Sequence, residues 1–135
     1  MERTQIRVLY GDVDQMGFAY YANFLRWFEA GRNEFIRAKG LRYRDLEIDY
    51  KFILPVREAS VRYRSPARYD DLITVEISLA ELRRASLRFT YRVVRDAELL
   101  ATGETTHACL GLDGKLQRFP AQILDSLTAG EHPQQ

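Results

Sequence analysis

One long helical pattern, followed mainly by strand patterns, is the feature that most limits how this chain can fold. Between about Tyr20 and Lys39, apolar residues recur at spacings of three and four, which is typical of an amphipathic helix. Gly40, directly after Lys39, fits the residue that caps a helix C-terminus. The apolar positions are Tyr21, Phe24, Leu25, Phe28, Phe35 and Ile36. A helix with one apolar face needs another layer to cover that face, and the strands that follow can supply it.

Strand patterns fill residues 52–112. Apolar and polar residues alternate over residues 74–79 and 87–93, as in strands that bury one face of a sheet. The other predicted elements are a first strand over residues 6–10, a short helix or loop over 41–50, a long strand over 99–112, a hairpin turn at Asp113-Gly114, a short strand over 116–118 and a last helical turn over 120–127. About four long antiparallel strands against one helix predict an α+β fold of two layers. Gly31, in mid-helix, is expected to let the sheet approach closely.

The length of 135 residues suits one compact domain, which we expect to span residues 1–135. The residues from about 128 onwards, and 131–135 in particular, are expected to be mobile. An open sheet leaves edge strands, and pairing with a second copy of the chain is a simple way to cover one. The chain is therefore expected to form a homodimer or a homotetramer.

Composition argues against several partners. The chain has 20 Lys and Arg against 19 Asp and Glu, and this balance gives no signature of nucleic-acid binding. Cys109 is the only cysteine, which excludes an intrachain disulfide and fits a reducing compartment. The sequence shows no signal peptide and no run long enough for a membrane span, so we expect a cytoplasmic protein. Two histidines and one cysteine are too few for a metal site, and no cofactor is expected.

The loop from Gly11 to Gly17 holds the strongest candidate for chemistry. Asp12 and Asp14 lie two residues apart, so their side chains are expected to point to different sides. A carboxylate beside a helix N-terminus has free backbone amides nearby, and those amides can hold a developing oxyanion. The carboxylate itself can attack as a nucleophile or activate water. From the residues alone, a helix-entry loop with solvated aspartates is the simpler interpretation.

Three segments carry a resemblance to a known family. The first and most specific runs from Tyr10 to Glu29: an aspartate, two residues, a glycine, two residues and an aromatic pair precede a helix with an acidic residue. The second runs over residues 55–71 and the third over residues 82–87. In order and over most of the chain, these segments resemble the 4-hydroxybenzoyl-CoA thioesterase-like proteins of the hotdog fold.

The resemblance implies a hotdog fold, in which a curved antiparallel sheet wraps a long central helix and the subunits pair into dimers and often tetramers. It implies hydrolysis of an acyl-CoA thioester to the free acid and CoA. Asp14 falls on the family's catalytic aspartate, which acts in relatives as a nucleophile or a general base. Tyr21 falls where a backbone amide polarises the thioester carbonyl, although a histidine is common there. Gly17 matches the glycine that helps the loop bend around the acyl group.

A second group of residues resembles the family's contacts with coenzyme A. Arg83 and Arg84 lie in a loop between two predicted strands, and guanidinium groups bind phosphates well. A solvated polar turn explains these two arginines equally well. Ser86 is a further candidate for the same groove, as is Arg62 or Arg64.

The remaining polar residues are expected to be structural. Asp12 is expected to stabilise its loop, and His107 to be packed or hydrogen-bonded within its strand. Cys109 is expected to be a small core residue. Glu29 is expected to pair with a nearby arginine, although another hotdog branch uses a helix glutamate as its carboxylate.

Three other functions fit the same scaffold. The acyl group could be carried by an acyl carrier protein instead of CoA, or the chain could bind acyl groups or CoA without catalysis. A hydratase or dehydratase of this fold needs a histidine paired with an acid near the helix, and neither His107 nor His132 fits that pattern. Asp14 favours hydrolysis over binding, because a binder gains nothing from a carboxylate that faces a thioester.

Overall fold

The computed structural model describes residues 1–130. Its helices are α1 (Asn23–Ala38), α2 (Tyr43–Ile48) and α3 (Ala121–Thr128). Its strands are β1 (Glu2–Arg7), β2 (Phe52–Ile53), β3 (Val56–Tyr63), β4 (Leu72–Leu82), β5 (Ser86–Arg95), β6 (Glu98–Ala108) and β7 (Leu110–Gly111). None of the helices within these residues combines the length and the apolar character that crossing a membrane requires. The expected mobility of residues 131–135 concerns a segment outside the described residues.

Five of the strands form one antiparallel sheet in the order β1-β4-β5-β6-β3, while β2 and β7 pair separately. The four long strands predicted from the sequence are β3, β4, β5 and β6, which confirms the α+β class. β3 is an edge strand, and all its residues except Val61 are exposed. Its outer side is therefore open in the single chain.

Helix α1 packs on one face of the sheet, and two glycines set how closely the layers meet. A Cβ atom on Gly31 of α1 would lie 3.1 Å from Val75 Cγ1, so the expected close approach at Gly31 is confirmed. Gly103 on β6 is tighter, because a Cβ atom there would lie 2.5 Å from both the Phe28 ring and the Ser60 carbonyl oxygen. The close packing of the helix on the sheet thus requires a glycine in each layer, Gly31 in the helix and Gly103 in the sheet.

A chain of hydrogen bonds crosses the core beneath α1. Arg32 donates to the Tyr91 hydroxyl at 3.3 Å, and that hydroxyl lies 2.5 Å from Thr105 Oγ1. Thr105 Oγ1 lies 2.8 Å from His107 Nε2, and His107 Nδ1 lies 3.0 Å from the Leu54 carbonyl oxygen. His107 is 2% exposed. The expectation that this histidine is packed and hydrogen-bonded is confirmed.

The buried face of α1 differs from the predicted one at its N-terminal end. Phe24, Phe28, Phe35 and Ile36 are buried as expected, whereas Tyr21 is 61% exposed and Leu25 is 41% exposed. Trp27 and Gly31 complete the buried face instead. The helix begins at Asn23 and not near Tyr20, so Tyr21 precedes the helix and Leu25 lies about 100° around it from Phe24.

Two short strand predictions are wrong in their bounds. The first strand ends at Arg7, because residues 10–12 form a 3-10 turn and only residues 2–7 pair with β4. The predicted strand over residues 116–118 is reduced to one bridge between Leu116 and Leu110. The turn before it is confirmed, since Gly114 has a φ of +83°.

Candidate active site

The loop between β1 and α1 folds back on itself around Asp14. The Asp14 amide donates to the Phe18 carbonyl at 2.8 Å, and the Gly17 amide donates to the Asp14 carbonyl at 3.0 Å. Gly17 has a φ of +84°, which glycine adopts easily and other residues rarely do. A Cβ on Gly17 would meet no atom within 4 Å, so the glycine is needed for the turn and not for space within the chain.

The Asp14 carboxylate is held by one of its two oxygens. Oδ1 accepts hydrogen bonds from the Met16 amide at 2.9 Å and the Phe18 amide at 3.4 Å. Within residues 1–130, no hydrogen bond or ion pair engages Oδ2. The side chain is half-buried, and the two contacts to Oδ1 fix its position while Oδ2 has no partner among the described residues.

Asp12 has a different role from Asp14. It is 6% exposed, its Oδ1 accepts a hydrogen bond from Arg26 of α1 at 2.5 Å, and its Oδ2 accepts one from the Leu9 amide at 2.8 Å. Its carbonyl oxygen also accepts hydrogen bonds from the Tyr20 amide and the Asn23 side chain. The expectation that Asp12 stabilises the loop is confirmed.

The start of α1 leaves backbone donors free beside this loop. The Asn23 amide donates to the Tyr20 carbonyl at 2.9 Å, but in the described part of the chain the amides of Tyr21 and Ala22 have no acceptor. Ala22 is the N-cap residue, and no side chain caps the helix there. Free amides at a helix N-terminus present partial positive charge, which suits a developing oxyanion.

Two grooves meet at Asp14. The first, of about 430 Å³, lies between the loop, the start of α1 and the end of β3, and its walls include Phe18, Tyr21, Phe24 and Tyr63. Arg64, Ser65, Met16, Ala19 and Pro66 complete its lining. A second groove, of about 670 Å³, lies on the other side of the loop, and its walls include Tyr10, Gly17 and Tyr69. Asp14 belongs to the walls of both.

Tyr63 connects the sheet to the helix start within the first groove. Its hydroxyl donates to the Tyr21 carbonyl oxygen at 2.9 Å. Its ring packs edge-to-face against those of Tyr21 and Phe24, with centroids 6.4 and 5.1 Å apart. The sequence analysis does not single out Tyr63. The signal that could identify it is its place two residues before Ser65-Pro66 in the second family-like segment.

The structure does not bring Arg83, Arg84 and Ser86 to Asp14 within one chain. The two arginines line a separate groove with Leu124 and other residues of α3. Phe18, whose amide donates to Asp14, forms an isolated β-bridge with Arg68. Arg68 lies before the start of β4, whereas Arg83 follows the end of that strand. The 11 residues of β4 separate the two ends by roughly 33 Å. Arg64 is the predicted coenzyme A candidate that shares a groove with Asp14.

Glu29 and Cys109, the two other residues considered from the sequence, lie in different environments. Glu29 is exposed and makes no ion pair within residues 1–130, so the expected arginine partner is absent from the described chain. Cys109 is fully buried, and burial raises the pKa of its thiol to about 11. The expectation that Cys109 is a core residue is confirmed.

A long helix packed on one antiparallel sheet, with a fixed carboxylate beside the start of the helix, is the arrangement of the hotdog-fold thioesterases. The chain belongs to the thioesterase-like superfamily, whose family model matches residues 8–127. The predicted family, fold and enzyme class, a thioesterase, are therefore confirmed.

Similar proteins cover nearly the whole chain. A crystal structure of a hypothetical protein from Thermus thermophilus has a TM-score of 0.90 at 35% identity and covers 96% of this chain and 98% of that one. The acyl-CoA thioesterase YbgC of Haemophilus influenzae is 30% identical over 87% of this chain and 88% of its own. The 1,4-dihydroxy-2-naphthoyl-CoA hydrolase of Synechococcus elongatus is 30% identical over 76% of each chain.

Proposed function

We propose that this protein hydrolyses the thioester of an acyl-CoA to the free acid and CoA, with Asp14 as the catalytic carboxylate. The observation that carries the proposal is the state of that carboxylate. Two backbone amides hold Oδ1, and Oδ2 has no partner within residues 1–130. Asp14 lines both grooves, and it shares the first with Tyr21, whose amide has no acceptor in the described chain. Hydrolysis of a thioester needs a nucleophile at the carbonyl carbon, either a carboxylate or water. It also needs a hydrogen-bond donor at the carbonyl oxygen.

Two routes fit this arrangement. In the first, Asp14 Oδ2 attacks the thioester carbon, the C–S bond breaks with release of the CoA thiolate, and water cleaves the resulting acid anhydride. In the second, Asp14 takes a proton from water, the hydroxide adds to the carbon, and the thiolate leaves and takes up a proton. In both, an amide at the start of α1 stabilises the negative charge that develops on the carbonyl oxygen.

The substitution Asp14→Asn tests the proposal. Asparagine keeps an oxygen that can accept from the Met16 and Phe18 amides, so the loop keeps its shape, but the nucleophile or base is lost. We expect thiol release from acyl-CoA to fall by about 10²- to 10⁴-fold, the usual contribution of such a group. The measurement is a thiol-release assay with a urea-unfolding curve for each variant.

A matched control is available in the same chain. Asp113 Oδ1 accepts a hydrogen bond from the Lys115 amide at 3.0 Å, two residues on, as Asp14 Oδ1 does from Met16, but Asp113 lies in the turn after β7. Asp113→Asn should leave thiol release unchanged. Full activity in Asp14→Asn, or an equal loss in both variants, contradicts the proposal.

An isotope experiment separates the two routes. In a single turnover with excess enzyme in H₂¹⁸O, the anhydride route can place ¹⁸O in the Asp14 side chain, which peptide mass spectrometry detects. The general-base route places the label only in the product acid. Label in Asp14 therefore identifies the nucleophilic route.

The acyl group and its carrier are defined by a substrate panel. Aromatic walls line the groove at Asp14, and one similar protein is a naphthoyl-CoA hydrolase by name, so the panel compares aromatic with short and long aliphatic acyl-CoA. Acyl carrier protein thioesters form a second arm. Tight CoA binding without thiol release from any member would instead favour the non-catalytic alternative.

We also propose that the working unit is a homodimer or a homotetramer. The open side of β3 can pair with another copy, and Glu58 and Arg62 on this strand form no ion pair within residues 1–130. Arg83 and Arg84 lie at the other end of the sheet from Asp14, so one substrate meets both sets of residues most simply when a second copy supplies the arginines.

A further inference from the structure

Tyr63 ties the end of β3 to the start of α1 across 42 residues of sequence. Its hydroxyl donates to the Tyr21 carbonyl oxygen at 2.9 Å. The same carbonyl also accepts the Phe24 amide of α1 at 3.3 Å, which is the longer of the two bonds. The shorter of the two contacts that fix this carbonyl therefore comes from the sheet.

The helix start depends on such outside contacts, because it lacks a cap of its own. The N-cap residue is Ala22, whose side chain cannot accept a hydrogen bond, whereas Ser, Thr, Asp or Asn usually stands at this position. The Tyr21 carbonyl and the Ala22 amide belong to one planar peptide unit. A contact that fixes the carbonyl therefore also fixes the direction of the Ala22 N–H.

Resting on the hydrolysis proposed above, we propose that Tyr63 is a positioning residue whose hydroxyl keeps the Tyr21–Ala22 peptide oriented, so that the Ala22 N–H at the start of α1 points at the thioester oxygen. Tyr63 does not take part in the bond changes. The amide that it orients stabilises most strongly the negative charge that develops on the carbonyl oxygen. The Tyr63 hydroxyl therefore stabilises the transition state more than the bound substrate.

The ring and the hydroxyl of Tyr63 can be separated by substitution. The ring forms part of the groove wall, and Tyr63→Phe keeps that ring in contact with Tyr21 and Phe24. Tyr63 is 46% exposed and Tyr21 is 61% exposed, so removal of the Tyr63 oxygen leaves no buried cavity and no buried acceptor without a partner. A loss of activity in this variant would therefore not follow from a generally weakened core.

Tyr43→Phe is the matched control. The Tyr43 hydroxyl accepts the Leu54 amide at 3.2 Å and so also links a helix, α2, to the backbone of a distant segment. Tyr43 lines neither groove at Asp14. Both substitutions remove one phenol-to-backbone hydrogen bond, but only Tyr63→Phe removes it beside Asp14.

The first measurement is steady-state hydrolysis of the best acyl-CoA of the panel. For Tyr63→Phe we expect kcat to fall by about tenfold, less than the 10²- to 10³-fold loss on deleting an oxyanion donor outright. KM should stay within about twofold. The melting temperature should fall no further than that of Tyr43→Phe, which leaves the amide of the buried residue Leu54 without its acceptor and should keep its kcat unchanged. An unchanged kcat in Tyr63→Phe, or an equal loss of kcat in both variants, overturns the inference.

The second measurement reads the amide contact without turnover. Acyl-CoA labelled with ¹³C at the thioester carbonyl is bound to Asp14→Asn, and isotope-edited infrared spectra give the carbonyl stretch. Adding Tyr63→Phe should move this stretch back toward its value in solution, whereas adding Tyr43→Phe should not. An identical stretch in all three proteins overturns the inference.

The outcomes separate this inference from the function on which it rests. If Asp14→Asn loses thiol release while Tyr63→Phe keeps full kcat, the hydrolase stands and the role of Tyr63 is refuted. If Asp14→Asn keeps full thiol release, the proposed function fails and the role of Tyr63 falls with it.

Discussion

Acidification is expected to weaken the fold through one buried residue, His107. Its ring is enclosed in the core, where Nδ1 can donate to the Leu54 carbonyl and Nε2 can accept from Thr105. These partners suit the neutral ring. Burial lowers the pKa of His107 from 6.5 to about 4 in the folded protein.

The sign and size of the effect follow from that difference in pKa. Between pH 6.5 and 4 the unfolded chain binds a proton at His107 and the folded chain does not, so the free energy of unfolding decreases as the pH falls. The part of the free energy of unfolding that depends on the neutral His107 ring is fully present above pH 6.5 and is lost below pH 4. At about 1.4 kcal/mol for each pKa unit, the loss across this window is about 3 kcal/mol.

Urea unfolding of the wild type and of His107→Gln, at pH values from 4.5 to 8, measures this contribution. Trp27 is the only tryptophan and is 3% exposed, so its fluorescence reports the unfolding of the core. Glutamine does not titrate, and the difference between the two proteins cancels the contributions of the carboxylates and of His132. The free energy of unfolding should fall more steeply with acidity in the wild type. Parallel curves for the two proteins would refute the reasoning.

Two further predictions concern packing and assembly. Gly103→Ala should lower the free energy of unfolding by about 1–3 kcal/mol in urea titrations, because the new methyl group would lie against the Phe28 ring and the Ser60 carbonyl oxygen; a change below 0.5 kcal/mol contradicts the contact. Sedimentation equilibrium should give a mass of at least two chains, and Arg62→Glu, which alters the charge on the open edge of β3, should shift the protein toward single chains; a monomeric wild type contradicts the proposed assembly.

The sequence predicted the body of α1 well and its start poorly. Phe24, Phe28 and Ile36 follow the helical period, which depends only on local spacing. The start at Asn23 is set by two contacts from outside the helix. Asn23 donates to the Asp12 carbonyl oxygen in the preceding loop, and Tyr63 of β3, 42 residues from Tyr21, donates to the Tyr21 carbonyl oxygen. No local cap residue marks that boundary.

The candidate site also has a part that local sequence predicts and a part that depends on distant contacts. The motif identifies Asp14 as a candidate, and its two amide contacts lie within four residues of it, so local sequence contains this part of the site. Tyr63 comes from the far edge of the sheet, and its contact is defined only once β3 is placed beside α1. The family resemblance groups Arg83 and Arg84 with Asp14, whereas the length of β4 separates them within one chain.

The position of Asp14 between two grooves bears on how products would leave. The grooves of about 430 and 670 Å³ share this residue, and the loop that carries it divides them. A bond that breaks at Asp14 has space on either side, so the two fragments need not share an exit. Departure of the acid would then not wait for departure of the thiol, because the loop separates two grooves that both reach Asp14.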